Sequence, residues 1–303
     1  MNIKNLPSLS QSLLKALNFF NDNVPPKFNF NISGLPIIVG SGNAFNTGKI
    51  LFSNHPAIFA NESDFLIKLK SYQSLIKDKV INQAIIISAS GEKDAAWEIK
   101  EAKKNKLQTT LLTCSPESSG AKLADKVIIY KKIAEPQTYN ISTYLGMILS
   151  KTQEKTSDIE KFIKKLSLKK GFKNYKAYSF ILPDEFVNIT PMLDIKRHEL
   201  FGPNVSLRAF SFSDARHAKF VMPTEKELVI SLGKNKYFGL PQHRYEIKMP
   251  KKYNAGLVMS LTYYLVGKIQ ESKPPYYKKN IAKYCKEGPL AYGNKKAFDI
   301  IVN

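Results

Sequence analysis

A chain of 303 residues, 43% of them hydrophobic, suits two domains of roughly 150 residues with real cores and excludes wholesale disorder. Forty-six Lys and Arg against 25 Asp and Glu give a formal net charge of +21, which raises the question of phosphate-bearing partners. The lysines are spread along the sequence (Lys68, Lys70, Lys77, Lys103, Lys104, Lys164, Lys165, Lys251, Lys252) without an RRM, zinc-finger or KH signature, so nucleic-acid binding is not expected and a basic surface that draws in anionic metabolites is.

Apolar residues at Leu9, Leu13, Leu14, Leu17 and Phe20 have helical spacing over Ser8 to Phe20. After the Pro25-Pro26 breaker, the run Pro36-Ile37-Ile38-Val39 ends in Gly40-Ser41-Gly42, as a buried parallel strand meeting a glycine turn does. Asn43 to Phe52 is then the next helix. The pattern repeats with a strand at Ala57 to Ala60, a helix at Asp64 to Leu75, a strand at Ala84 to Ser88 and a helix at Asp94 to Lys104. Thr109 to Thr113 and Val127 to Tyr130 are further strands around a helix at Ser118 to Asp125, and a helix at Tyr139 to Lys151 closes the series. This alternation predicts a parallel sheet covered on both faces. Ile159 to Leu166 is a basic amphipathic connector. A second series follows, with strands at Ala177 to Leu182, Leu207 to Phe212 and Glu227 to Leu232 and a long apolar helix at Tyr253 to Gln270. That apolar stretch is too short for a bilayer, which takes about 20 residues. With only Cys114 and Cys285, no CxxC or His-rich cluster, and no apolar signal region in Met1-Asn2-Ile3-Lys4, a cytoplasmic, metal-free and cofactor-free protein is expected.

The most informative stretch is Ile85-Ile86-Ile87-Ser88-Ala89-Ser90-Gly91-Glu92-Lys93-Asp94. A buried strand delivers the backbone to a tight turn that opens a helix, whose first N–H groups and positive dipole end point at an incoming anion. Ser88 and Ser90 add hydroxyl donors, Gly91 allows close approach, and Lys93 adds a full charge. Gly40-Ser41-Gly42-Asn43 supplies a second glycine turn beside it. The same loop also reads as an ordinary capped helix with Ser90 as N-cap. Neither nucleotide motif fits: Gly42 to Lys49 is one residue too long for a P-loop and is followed by Ile50, and Gly40-Ser41-Gly42 lacks the third glycine of the dinucleotide turn.

Ser88-Ala89-Ser90-Gly91-Glu92-Lys93-Asp94 resembles the Ser-Gln-Ser-Gly-Glu-Thr-x-Asp loop of SIS (sugar isomerase) domains, with its Asp one place early. The nearest pattern is the isomerase half of glucosamine-6-phosphate synthase, a tandem pair of such domains. Asn61 to Phe65 resembles its Ser-Glu-Phe element, Glu98 to Lys104 its Ala-Lys-Lys helix, Leu123-Ala124-Asp125 its Ala-x-x-Ala-Asp, and Glu135 to Tyr144 its Glu-x-x-Val-Ala-Ser-Thr-Lys segment. The resemblance implies an α/β fold of two three-layer αβα domains with mostly parallel five-stranded, flavodoxin-like sheets. It places an N-terminal helical segment at 1–30, the first SIS domain at 31–155, a helical connector at 156–172 and the second domain with a C-terminal tail at 173–303. It implies a phosphosugar site at Gly42, Asn43, Ser88, Ala89, Ser90, Lys93, Asn140 and Lys196. The chain departs from the pattern in having Lys93 for a phosphate-binding Thr, and Ala44 and Asn140 each for a Ser.

Aldose–ketose interconversion needs a base to move a proton between C1 and C2, and groups that open the ring and stabilise the enediol. Glu199, His217 and Lys283 can supply these, although each alone also reads as a solvated or satisfied polar residue. Lys196-Arg197-His198-Glu199 resembles the family's Lys-Leu-Lys-Glu with its enolising Glu, and Ser213 to His217 its Gly-Glu-Leu-Lys-His with a ring-opening His contributed across a dimer interface. The Glu-to-His interval is two residues longer, the extra length falling at Phe201-Gly202-Pro203. Asn280-Ile281-Ala282-Lys283 resembles the terminal Asn-Leu-Ala-Lys, whose lysine engages the substrate carbonyl. In the second half the family's Gly-Arg-Gly turn is replaced by Pro183-Asp184-Glu185, so only the first half keeps a competent phosphate loop. The resemblance therefore implies a homodimeric sugar-phosphate isomerase of a hexose or amino sugar 6-phosphate. Ammonia-linked amination or deamination, with Lys283 forming an imine, is an alternative in the same class. A non-catalytic sugar-phosphate sensor is the alternative in another. No nucleophilic Cys follows Met1, so glutamine-driven transfer needs ammonia from a partner chain.

Overall fold

The computed structural model describes residues 3–30, 32–217, 219–293 and 295–302. Met1 and Asn2 of the expected N-terminal segment, Asn31 at the expected start of the first domain and Asn303 at the end of the second lie outside them. In chain order the elements begin α1 (Leu9–Asp22), β1 (Ile37–Gly40), α2 (Asn43–Leu51), β2 (Ile58–Ala60), α3 (Phe65–Ser71), α4 (Gln73–Lys77) and β3 (Gln83–Ile87). Then come α5 (Asp94–Lys104), β4 (Gln108–Thr113), α6 (Ser119–Leu123), β5 (Lys126–Ile129), β6 (Glu135–Pro136), α7 (Ile141–Thr152) and α8 (Thr156–Lys164). The remainder is β7 (Ala177–Leu182), α9 (Thr190–Phe201), β8 (Ser206–Ser211), α10 (Phe212–Arg216), β9 (Glu227–Leu232), β10 (Arg244–Ile247), α11 (Ala255–Ser272), α12 (Tyr276–Glu287) and β11 (Ile301–Val302).

These elements form two compact units, one of Asn23–Ile133 and Ser142–Gln153, the other of Met1–Asp22, Ala134–Ile141 and Glu154–Asn303. The first holds a five-stranded parallel sheet in the order β2-β1-β3-β4-β5. Ile37 to Val39 of β1 and Ala84 to Ile87 of β3 are continuous buried apolar runs because helices cover both faces. Ile37, Val39, Ala84 and Ile86 pack one face against Phe65, Leu69, Ile99 and Ala102. On α2, a Cβ added at Gly48 would lie 2.9 Å from Ile38 Cγ2, so the missing side chain lets that helix ride close to β1. The expected single helix at 64–75 is broken at Tyr72, which leaves helical geometry at φ −100°, ψ 19°. The apolar period of Phe65, Leu69, Tyr72 and Leu75 continues through the break and conceals it in the sequence.

The second unit holds a four-stranded parallel sheet, β10-β9-β7-β8, where the sequence led us to expect five strands. Read from β8, its order reproduces the first four positions of the other sheet. The long helix α11 is buried on almost every side, and α1 packs along it. At their crossing a Cβ on Gly267 would fall 2.1 Å from the Ser10 backbone nitrogen, so only glycine permits this approach. The stretch expected as a connector is α8, with Ile159 and Ile163 buried. The tail strand β11 pairs antiparallel with β6, Val302 opposite Glu135.

Candidate functional site

In the five-stranded unit β1 and β3 are neighbours although β2 lies between them in sequence, with Ile38 opposite Ile85 and Gly40 opposite Ile87. The chain leaves these two strands toward opposite edges, and in open α/β sheets the crevice at such a reversal is where ligands bind. The two turns there are Gly40 to Asn43, opening α2, and Ser88 to Asp94, opening α5. Both helices start from the same backbone conformation: Gly42 at φ 55°, ψ −120° and Lys93 at φ 55°, ψ −116°. For a lysine that is a conformation L side chains rarely adopt. Lys93, not Ser90, is the N-cap of α5. Ser90 Oγ instead accepts from the Glu92 N–H (3.3 Å), and Ser88 Oγ accepts from the Gly91 N–H (3.1 Å). A hydroxyl that accepts through a lone pair keeps its own proton to donate, so both serines shape the turn and can still meet an anion.

The loop is held from β4 and α6. Ala89 carbonyl accepts from the Cys114 N–H (3.1 Å) and Thr113 Oγ1 (3.2 Å), and Gly91 carbonyl from the Gly120 N–H (2.9 Å). Gly91, at φ 62°, leaves no room for a Cβ, which would lie 2.1 Å from Ser118 Oγ. The Asp94 carboxylate takes the Trp97 indole N–H (3.2 Å) and the Ser41 hydroxyl (3.5 Å), linking the two turns. Asn43, the first residue of α2, is 93% buried with its Oδ1 lacking a hydrogen-bond partner. Gly42, Asn43, Ser88, Ala89, Ser90 and Lys93 thus gather at one end of one sheet.

The sequence reading overlooked Glu98. It lies one turn beyond Asp94 on the buried stripe of α5, with Ala95, Ile99 and Ala102, and a Glu on that stripe was the available signal. It is 2% exposed and its Oε1 lacks a hydrogen-bond partner. Burial, then the negative charges of Asp94 and Glu62, push its carboxyl from 4.5 up to about 8. The folded protein therefore keeps a proton that the unfolded chain has released, and stability falls as pH climbs from about 4.5 to about 8. Glu98→Gln removes the effect. At pH above 8 its melting temperature is expected to exceed the wild type's by about 10 °C, since a pKa unit is about 1.4 kcal/mol and a kcal/mol moves such a domain by about 2–4 °C. Near pH 4.5 the two should melt together. Parallel melting curves across the whole range would show that Glu98 ionises normally.

In the four-stranded unit, α9 carries Lys196 and Glu199 one turn apart. Lys196 occupies the buried stripe of Met192, Leu193 and Leu200, and its side chain is wholly buried. Its ammonium donates to Glu199 Oε2 (2.6 Å) and to the Thr138 carbonyl (2.6 Å), and lies 5.8 Å from the Tyr263 ring centroid. That pairing makes Lys196 a partner of the Glu199 carboxylate. Burial pushes the Glu199 carboxyl up, while the Lys196 ammonium pulls it down. Thr138 and Asn140 both have positive φ (74° and 47°), in a segment clamped by Lys196, by the Tyr277 hydroxyl on the Gln137 carbonyl (2.6 Å) and by the Gln137 N–H on the Ile300 carbonyl (2.6 Å). Asn140, Lys196 and Glu199 are thus brought into one neighbourhood. His217 and Lys283 stand at the surface: His217 ends α10, and Lys283 lies mid-way along α12 with Glu287 3.9 Å away. After β7 no phosphate turn forms. The Asp184 carboxylate there accepts from the Ser213 N–H and hydroxyl, both at 2.7 Å, so an internal anion takes the first turn of α10.

No protein-family model matches the chain, and no curated protein matches it. Solved structures do. The C-terminal domain of glucosamine-fructose-6-phosphate aminotransferase from Francisella tularensis superimposes with a TM-score of 0.60 at 12% identity, covering 88% of this chain and 94% of that one. Glucosamine-6-phosphate deaminase from Thermotoga maritima gives 0.57 at 15% identity, with 86% and 91% covered. Tagatose-6-phosphate ketose/aldose isomerase from Escherichia coli gives 0.58 at 12%, with 86% and 87% covered. At these identities the likeness is one of fold, the SIS-type αβα arrangement.

Proposed function

We propose that this protein binds a hexose 6-phosphate or amino sugar 6-phosphate and interconverts its aldose and ketose forms by enediol proton transfer. The reading rests above all on the matched turns after β1 and β3, two helix N-termini at the reversal point of one sheet, lined by Ser88, Ser90, Gly91 and Lys93. Small donors, backbone N–H groups and a lysine suit a compact dianion. Three structural neighbours named for sugar-phosphate chemistry support the same class. In this reading residues 31–155 and 173–303 form a tandem pair of SIS domains, working as a cytoplasmic homodimer. Ser88 and Ser90 hold the phosphate with Gly42, Asn43, Ala89 and Lys93. Glu199 moves the proton between C1 and C2, His217 opens the ring and Lys283 holds the carbonyl. A raised carboxyl pKa serves this role, because a base works best near the operating pH.

A melting-temperature screen tests the binding step. Fructose 6-phosphate, glucose 6-phosphate or glucosamine 6-phosphate at about 100 times its dissociation constant should add about 2.7 kcal/mol of stability, several °C, while the unphosphorylated sugars should not. Ser88→Ala/Ser90→Ala should cut that shift to the level of the plain sugars. Equal shifts in wild type and variant would place the phosphate elsewhere. The exposure of His217 and Lys283 favours a second reading, a sugar-phosphate sensor. Retained binding with no turnover of any of the three ligands would select it, and release of ammonia from glucosamine 6-phosphate would select deamination.

A further inference from the structure

The basic residues are not spread evenly along the chain. The four-stranded unit holds 30 of the 46 basic and 16 of the 25 acidic residues, and so carries +14 of the formal +21. Within it, the 16 residues from Lys161 to Lys176 include seven lysines and no Asp or Glu. Ile159 and Ile163 turn inward, so Lys161, Lys164 and Lys165 share the outer face of the end of α8, beside a depression of about 330 Å³ lined also by Ser157 and Glu160. Lys170, Lys173 and Lys176 continue the exposed row, and the Lys176 N–H on the Lys226 carbonyl (3.0 Å) brings Lys226 alongside.

This ridge is rigidly mounted. The Lys273 ammonium donates to the carbonyls of Lys173 (2.9 Å) and Tyr175 (2.5 Å), the Tyr245 hydroxyl to the Ser167 carbonyl (2.8 Å), and the Tyr178 hydroxyl to the Phe172 carbonyl (2.8 Å). Tyr175, half-buried and edge-on to His243, adds an aromatic face within the row. We propose that the Lys161–Lys176 ridge is a binding surface for a phosphodiester polyanion, a single-stranded nucleic acid, separate from the sugar-phosphate turns. A run of exposed cations on a backbone held in place, with the Tyr175 ring beside them, offers charge for a strand's phosphates and an aromatic face for its bases. A bilayer is the poorer fit. Ile159, Ile163 and Phe172 are buried and Phe162, Leu166 and Leu168 half-buried, so no apolar side chain stands out to be taken up by lipid.

Fluorescence anisotropy with labelled poly(U) RNA and poly(dT) DNA of about 20 nucleotides tests the surface and separates the two sources. Binding by at least one strand is expected. Four phosphate contacts would weaken it by about 50-fold between about 50 and about 200 mM salt. Lys161→Glu/Lys165→Glu/Lys170→Glu/Lys173→Glu should weaken it by at least about tenfold. The same charge change on the other unit, Lys70→Glu/Lys77→Glu/Lys100→Glu/Lys122→Glu, should leave it within about twofold. If the first variant fails to fold, Lys170→Ala/Lys173→Ala should still weaken binding and flatten the salt dependence. Four results would each overturn the proposal: no binding of either strand at low salt, equal losses in both quadruple variants, displacement of the strand by fructose 6-phosphate, or ridge-dependent binding of phosphatidylserine vesicles with strand binding unaffected by the ridge variants.

Discussion

Glu199→Gln is expected to lower turnover of the hexose 6-phosphate by about 10²- to 10⁴-fold, the usual contribution of a positioned base. The melting-temperature shift given by the same ligand should stay near the wild-type value. The substitution keeps the shape of the side chain and an acceptor oxygen 2.6 Å from the Lys196 ammonium, so the change is confined to proton affinity and charge. It does leave a wholly buried cation with a weaker partner, and the resting protein should melt somewhat lower for that reason. Glu199→Asp separates the two consequences: it keeps the charge but withdraws the oxygens by one methylene, so turnover should fall as well. Wild-type turnover in the Gln variant would remove Glu199 from the chemistry and leave a binding protein.

The parts of this fold most legible in the sequence are those with continuous apolar runs. Ile37 to Val39 and Ala84 to Ile87 read as buried strands because they are short, continuous apolar runs, rich in β-branched residues and ending in Gly and Ser turns, as a two-sided sheet requires. Elements without such runs escaped. β10 is Arg-Tyr-Glu-Ile, half solvated at the sheet edge, and the two-residue strands β6 and β11 exist only through each other. At the site, the serines of the loop were readable from residue type, but their hydrogen bonds were not. Ser90 serves Glu92 within the turn, while Lys93 takes the cap with a backbone angle that propensity argues against. Lys196 and Glu98 carried a signal that went unused, each a charged residue on the buried stripe of its helix. Lys283 shows the converse. Four matching residues, Asn280 to Lys283, carry no information on the surrounding helix α12, which continues to Glu287 and leaves the lysine in solvent.

Lys196→Met carries the largest expected effect on stability. The methionine fills nearly the same volume, but it removes the donor for both Glu199 Oε2 and the Thr138 carbonyl. Breaking one side of a buried ion pair costs about 3–5 kcal/mol, because the remaining charge is left without a partner. The carbonyl loss adds to this at a sensitive place, since Thr138 is a β-branched residue held at φ 74° and depends on its neighbours to stay there. Chemical denaturation should register the loss as a lower midpoint. Catalysis should respond in a way that instability alone does not produce. Burial raises the Glu199 pKa and the Lys196 ammonium opposes it, so removing the ammonium lets the carboxyl hold its proton to higher pH. The base is active only when ionised, so the rising limb of kcat/KM against pH should move to higher pH in the variant. At high pH the rate should recover toward that of the wild type, which a misfolded protein cannot do. An unmoved rising limb would mean that the group titrating in the wild type is not Glu199, and that the Lys196 pair serves only to hold the segment around Thr138.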